Sequence, residues 1–543
     1  MTQTTPSTGH FPASATDAWT APTDVPVLVV GGGPSGLAAA IELGRRGVEV
    51  LLVEPRTERD ALRPRAKTTS VRTMEHLRRW GLAEALRAAA PIPVSHAQDV
   101  VFCTALLGEE ITRFPHAFGL RPERHDDFAE PGQQAPQPVV EEVLLEAARR
   151  TPGVRVLEGW RAVAVVDGPQ HADAVLAAPD GSEHRVRADW LLGCDGSAGL
   201  CRKAVGARYE GSSGARPNLS ITFRAPALET AQPCALGIHY WVVGEPGGLM
   251  GRLDLDGTWW AIVQGTDGAG HDPAALVRAL VGDDSLEVEV LATDPWNARM
   301  LLVDRYRGQR VLLVGDAAHL NPPWGGHGFN TCLADAVNVA WKLAGVLAGW
   351  ADEALLDTYE TERRGVAAAT IAAAGAQEAF LAPSLTGPDA EAALAAKRPE
   401  FHSLGLVLGY DYAGSDAVVA DGSDAPAASV TDYVPSAHPG ARLPHHWLGD
   451  GRSVYDVLGA GFTLLRLDPT ASLDAVVAAA GACGVPLAVV DLDPAQRSRY
   501  GAGLVLVRPD QHVAWRGDAL DQAVAAGVLA QVTGSRSSRV QPA

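Results

Sequence analysis

Two glycine-dense stretches, about 280 residues apart, hold residue types that can cradle a phosphate or a flat ring. The first is Gly31-Gly32-Gly33-Pro34-Ser35-Gly36, directly after the apolar run 25–30. Gly31, Gly33 and Gly36 fit G-x-G-x-x-G in the strand–turn–helix setting that places a pyrophosphate on free helix N–H groups. Glu54 ends the next apolar run, 48–53, where a carboxylate can take the hydroxyls of an unphosphorylated ribose. That acid favours FAD or NAD over NADP in this pocket. The second stretch, Gly315-Asp316, runs through His319, Pro322, Pro323, Trp324, Gly325, Gly326, His327, Gly328 and Phe329 to Asn330 after the apolar run 311–314. Glycines allow close backbone approach, and a helix start adds partial positive charge. Two such signatures in one chain point to one long cofactor held at both ends.

The elements that must carry these residues are legible. An Ala-rich helix over 37–46, ended by Gly47, packs close to a sheet. The segment 63–77 is basic within an acidic chain: either Arg65 and Arg72 are placed to meet ligand oxygens, or it is an ordinary solvated basic helix. Thr68, Thr69 or Ser70 caps its helix, whose Val71, Met74 and Leu77 share a face before Gly81. A long amphipathic helix is expected over 331–350, with Leu333, Val337, Ala340, Leu343 and Leu347 on one side.

The chain has 543 residues, enough for two or three domains, and 47% hydrophobic with 20% charged residues is a globular composition. A formal charge of −19 argues against a nucleic-acid surface. No 18-residue apolar run suggests a membrane helix. Residues 1–24 read as a disordered polar tail without the pattern of a signal peptide. The six cysteines (103, 194, 201, 234, 332 and 483) have neither zinc nor dithiol spacing, so no metal site is expected and the location expected is cytoplasmic.

Together the motifs resemble those of the FAD-dependent aromatic hydroxylases, the flavoprotein monooxygenases related to para-hydroxybenzoate and phenol hydroxylase. Within them the chain looks most like the branch that tailors aromatic polyketides in antibiotic biosynthesis. The resemblance rests on Gly31 to Gly36, on Cys194-Asp195-Gly196-Ser197 after Trp190-Leu191-Leu192, and on Gly315-Asp316 through Asn330, in order over residues 25 to about 375. It implies an α/β fold: a Rossmann-type FAD-binding domain (25–205 and 295–378, with 95–135 partly in the substrate domain), a mixed β-sheet substrate domain (206–294), a connection (379–435) and a C-terminal thioredoxin-like domain (436–535). It implies that Gly31, Gly33, Pro34, Ser35, Gly36, Glu54, Pro55, Arg56, Arg65, Arg72, Gln137, Asp195, Gly315 and Asp316 bind FAD, Asp316 through a ribityl hydroxyl. Pro322, Gly325, Gly326, Gly328, Phe329 and Asn330 would line the isoalloxazine. One departure stands out: the family's serine after Asp-Gly-x-x is Gly199 here.

The implied reaction is NADPH- or NADH-driven, O2-using hydroxylation of a polycyclic aromatic through a flavin C4a-hydroperoxide, by a monomer or homodimer. Baeyer–Villiger or ring-opening oxygenation and a non-oxygenating flavin reductase stay open as alternatives. Alternating stretches in 206–294 suggest strands of a mixed sheet. Phe223, His239, Tyr240, Trp241, Trp259 and Trp260 there, with Pro323 and Trp324, are candidates to wall a planar substrate. His239 and Tyr240 are candidate bases for a phenol. The loop 119–136 reads as an entrance shield or a disordered insertion. The last third has one cysteine, Cys483, and no Cys-x-x-Cys, which excludes dithiol chemistry and leaves a packing or dimer-supporting role, with a partner-docking module as the alternative.

Overall fold

A computed structural model describes residues 23–231, 233–377 and 395–535. The expected tail therefore lies almost wholly outside the described residues, as does the first part of the connection.

The strand Asp24–Val30 is fully buried at its carboxyl end and pairs in parallel with Val50–Glu54 on one side and Glu183–Gly193 on the other. Glu183–Gly193 pairs in parallel with Val311–Leu313. Continuous Val/Leu runs suit strands covered on both faces. The glycine helix Pro34–Gly44 and the long helix His327–Leu347 pack against one another in this domain. Val53, Val30, Gly193 and Leu313 stand in one row. Glu54, Gly31 and Cys194 are therefore the next row across the sheet, and Gly315 follows one residue beyond it.

A second sheet of eight strands runs, in spatial order, His319–Leu320, Glu289–Val303, Tyr209–Arg224, Thr258–Gln264, Gly248–Arg252, His239–Val242, Val100–Cys103 and Glu110–Phe114. It is antiparallel except where His239–Val242 runs parallel to Val100–Cys103. Side chains alternate between its faces. Val101, Tyr240, Trp259, Phe223 and Ile221 share one buried cluster with the helix Pro273–Val281. Phe102, Trp241 and Trp260 lie in another, with Trp324 of the glycine loop and Phe401.

The C-terminal unit is βαβ, Phe462–Arg466, Asp474–Cys483 and Leu487–Asp491, then the antiparallel strands Leu504–Val507 and Val513–Gly517 and the helix Gln522–Val532. That order and pairing are those of a thioredoxin-like core. The turn 508–512 plunges into the first domain. There Arg508 reaches Glu362 through both Nη atoms (2.7 and 2.8 Å), and Asp510 accepts from Trp341 Nε1 (3.0 Å). Loop 119–136 is ordered rather than a disordered insertion, and its Gly119 and Arg121 border a cavity beside the glycine loop. It is clamped to the C-terminal unit by Trp447 Nε1 donating to His125 O (2.9 Å) and Arg442 donating to Asp127 O (3.1 Å).

Candidate functional site

All three motifs meet at the carboxyl ends of the parallel strands, where open α/β sheets bind ligands. A Cβ on Gly31 would lie 2.3 Å from Cys194 O, one on Gly36 1.9 Å from Gly31 O, and one on Gly315 2.4 Å from Ser35 Oγ. The chain is thus packed to backbone contact behind the motifs. Gly33 differs: a Cβ there meets nothing within 4 Å. It caps the glycine helix without any side-chain bond, so the N–H groups of Ser35 and Gly36 are free for an anion.

Glu54 is buried beside this turn. Gly32 N donates to its Oε2 (2.6 Å), while Arg56 N and Nε donate to Oε1 (2.9 and 2.7 Å). Pro55 is exposed, and Arg56 also reaches Glu141 (3.0 Å). Asp316 is the exposed residue within the buried run 311–319, its Oδ1 accepting from Cys332 Sγ (3.3 Å). The Asp195 carboxylate caps the helix Leu200–Val205, Oδ2 accepting from Cys201 N (2.9 Å), and its buried Oδ1 lacks a partner. A Cβ on Gly199 would lie 2.1 Å from Asp195 Cγ, so here the carboxylate occupies the space that a side chain at 199 would take. An anion-ready helix start, a ribose-side acid, an exposed aspartate three strand spacings away (roughly 14 Å at ~4.8 Å each) and an orphaned carboxylate oxygen fit an extended dinucleotide.

The helix expected over 331–350 begins earlier, at His327, so Gly328, Phe329 and Asn330 form its first turn. Gly326, at φ +67°, turns the chain into it. Asn330 then ties the loop to the neighbouring ribbon Thr68–Thr69: Ser70 N donates to its Oδ1 (2.9 Å), and its Nδ2 donates to Thr68 O (3.0 Å) and Gly326 O (2.7 Å). Pro322 is buried, Pro323 is exposed, and Phe329 packs on the core of the first domain. Beneath the loop, His319 Nε2 donates to Asp335 Oδ2 (2.8 Å), and Asp335 Oδ1 accepts from Arg363 (2.7 Å). Burial alone would lower the His319 pKa, but Asp335 outweighs it and raises the value.

A cavity of about 180 Å³ adjoins Gly325, Gly326, Asn330, Thr68 and Ser70. Phe401 closes it, packed against Phe114 (5.0 Å) and Phe118 (5.8 Å). Trp241 stacks parallel on Phe102 (5.5 Å) and lies 6.2 Å from Trp324. The fully buried Lys397 stands 4.3 Å over Trp241 and pairs with Glu400 (2.8 Å). His239 shares this face, its Nε2 at 2.9 Å from Gln134 Nε2, with Lys67 Nζ 4.1 Å over the neighbouring Trp260.

Several expected site residues are placed elsewhere. Phe223, Tyr240 and Trp259 point to the opposite face of the sheet, because strand alternation separates each from its neighbour on the cavity side. The Tyr240 hydroxyl is spent on Gly237 N and Ala235 O (both 3.0 Å). Burial, with Lys67 nearby, lowers the His239 pKa to about 3, too weak a base for a phenol near neutrality. Arg72 is buried away from the glycine turns, its Nη atoms on Gln511 (2.6 Å), Asp510 O (2.8 Å) and Glu75 (3.0 Å). Gln137 spends its side chain on Glu141 (2.7 Å). Arg65 is exposed at φ +47°. Residues 395–408, read as part of a connection, are a cavity wall. Lys397 and Phe401 carried no signal beyond being a lone cation and a lone aromatic in a polar stretch.

Among the described residues no helix is long and apolar enough to cross a membrane, and no cluster of three or more His, Cys, Asp or Glu could hold a metal.

Comparison with known proteins gives a match of residues 24–374 to an FAD binding domain, and of 436–535 to the aromatic-ring hydroxylase C-terminal domain. A phenol 2-monooxygenase of Pseudomonas sp. (strain EST1001) is 32% identical over 91% of this chain and 90% of its own. A putative polyketide hydroxylase of Streptomyces halstedii is 33% identical over 91% of this chain and 93% of its own. The rebeccamycin biosynthetic enzyme RebC, solved with reduced flavin, superposes with a TM-score of 0.86 at 33% identity, covering 95% of this chain and 100% of RebC.

Proposed function

The chain belongs to the FAD-dependent aromatic-ring hydroxylases, and on that premise we propose that it hydroxylates a polycyclic aromatic of the polyketide type. The electron donor is NADPH or NADH, the oxygen source is O2, and the setting is a cytoplasmic secondary-metabolite pathway. Bound FAD supplies the two-electron chemistry and the O2 activation that no side chain provides. The protein's part is placement. Free N–H groups at Ser35 and Gly36 hold the pyrophosphate, Glu54 the adenosine ribose, and exposed Asp316 the ribityl chain. The start of the helix His327–Leu347 lends positive field beside the glycine loop, where negative charge on a reduced ring is stabilised.

Phe118 and Phe401 line the cavity, with the buried Trp241 and Trp324 in the cluster behind them, and this wall orients the substrate ring and excludes water. The observation that carries this reading is the convergence of three motifs at the strand ends, next to a cavity bordered by Phe118 and Phe401. The test is turnover under labelled O2 with hydroxynaphthoquinone or hydroxyanthraquinone substrates. One labelled oxygen per product, carried as a ring hydroxyl and not as an inserted ester oxygen, supports hydroxylation; product without label refutes it in favour of a reductase.

A further inference from the structure

The cavity beside the glycine loop is lined by more than aromatic and glycine residues. Arg121, Arg398, His116 and His402 also line it. The other three act on His402, whose pKa is lowered by burial, then by Arg398, Arg121 and His116. Asp432 is the single carboxylate in the lining, and its oxygen is taken by the Thr431 hydroxyl (2.9 Å). Among the described residues neither Arg121 nor Arg398 has a carboxylate within ion-pair distance, in a chain of net charge −19. His116 Nδ1 is buried without a partner.

The backbone there is strained as well. Among the described residues four non-glycine residues have left-handed φ, and His116 (+51°) and Phe118 (+58°) are two of them. Such conformations persist where the surroundings over-determine them, commonly at ligand clamps.

We propose that this basic cluster receives a carboxylate carried by the aromatic substrate, so that the enzyme acts on an aromatic acid. The inference rests on the cavity being the substrate site, as set out above. A guanidinium takes a carboxylate in bidentate fashion, and a neighbouring imidazole N–H adds a further donor. An uncharged substrate of the same shape leaves both arginines without an anion.

The test compares 2-naphthoate with 2-naphthamide on the FAD-loaded enzyme, read through perturbation of the flavin absorbance. The expected result is binding of the carboxylate on the order of tenfold tighter or more. Added salt should shrink the preference, and the double variant Arg121→Gln/Arg398→Gln should bring the ratio toward one while keeping FAD. Equal affinities in the wild type, or a preference that survives the double variant, overturn the proposal. Displacement of bound 2-naphthoate by NADP+ alone also overturns it, because the cations would then serve the nucleotide phosphates. If neither naphthalene perturbs the flavin, the substrate-site reading itself fails, a result distinct from equal binding.

Discussion

Gly33 and Gly36 stand three residues apart in one turn, yet their substitution separates ligand binding from folding. A methyl at Gly36 has backbone oxygen 1.9 Å away, so Gly36→Ala must displace the strand–helix junction and lower stability. A methyl at Gly33 meets no protein atom within 4 Å, and its φ of −75° suits any residue. Gly33→Ala should therefore keep a near-wild-type apo melting temperature and lose FAD affinity; parallel effects in both variants would refute this. Asp316→Ala should lower FAD occupancy after gel filtration, read as the ratio of visible to ultraviolet absorbance. His239→Asn should leave the shape of the kcat/KM–pH profile between pH 6 and 8 unaltered, because His239 is already neutral there. A lost limb would restore it as a base. Residue identity made the glycines and both acids legible in sequence, since each needs a particular backbone or charge. It did not reveal that Arg72 serves the C-terminal unit, because a guanidinium suits a buried carboxylate as well as a phosphate.

Along the strand His239–Val242, parity decides what each aromatic does. His-Tyr-Trp puts rings on both faces, and Trp259-Trp260 repeats the ambiguity, so composition alone leaves the cavity side unassigned. The contacts assign it: Trp241 and Trp260 to the cavity side, Tyr240 and Trp259 to the outer core. Tyr240→Phe removes two hydrogen bonds on the far side and should cost about 1 kcal/mol of stability with kcat/KM for the aromatic retained. Trp241→Ala should raise KM for the aromatic severalfold with FAD still bound. Reversal of these two phenotypes in denaturation and steady-state assays would overturn the assignment. The early start of the helix His327–Leu347 was hidden for a related reason. Gly325, Gly326 and Gly328 look like loop, yet only the first two adopt left-handed φ. The helix start follows from dihedral angles, and residue type does not report those at glycine.

Across the molecule, buried charge joins the thioredoxin-like unit to the first domain. Glu362 accepts from Arg508, Lys342 (2.7 Å), Asn338 (2.7 Å) and Ser415 (2.6 Å), while Arg442 and Arg72 share Glu75. Arg363 bonds Tyr412 (3.1 Å), whose ring stacks on His512 at 4.2 Å. Removing one partner strands the others without water, so Glu362→Gln should cost about 3 kcal/mol or more. Calorimetry should then show one cooperative transition for the whole chain; two separable transitions would contradict this. Acid should act at this seam and, through His327, at the glycine loop. Burial holds His512 at about 3 and His327, His445 and His446 at about 4, against about 6.5 in an unfolded chain. The unfolded state binds more protons between these values, so melting temperature should fall as pH drops from 6.5 toward 4. His319 works oppositely: its raised pKa gives stability that is full below about 6.5 and lost as pH rises through the folded value. None of these pairings was readable from sequence, since partners lie up to 439 residues apart.

The strand Val311–Leu313 adds a consequence for how the protein is made. It completes the parallel row that begins with Asp24–Val30, and the eight-stranded sheet is mostly synthesised in between. At about 5–20 residues per second on a ribosome, the first glycine turn waits roughly a quarter to a full minute for its counterpart. For the last part of that interval, roughly 6–24 s, the apolar carboxyl end of Glu183–Gly193 stands open to wrong pairing. Cofactor capture is therefore a late event in synthesis, and yield in cells should respond to chaperone supply before it responds to riboflavin.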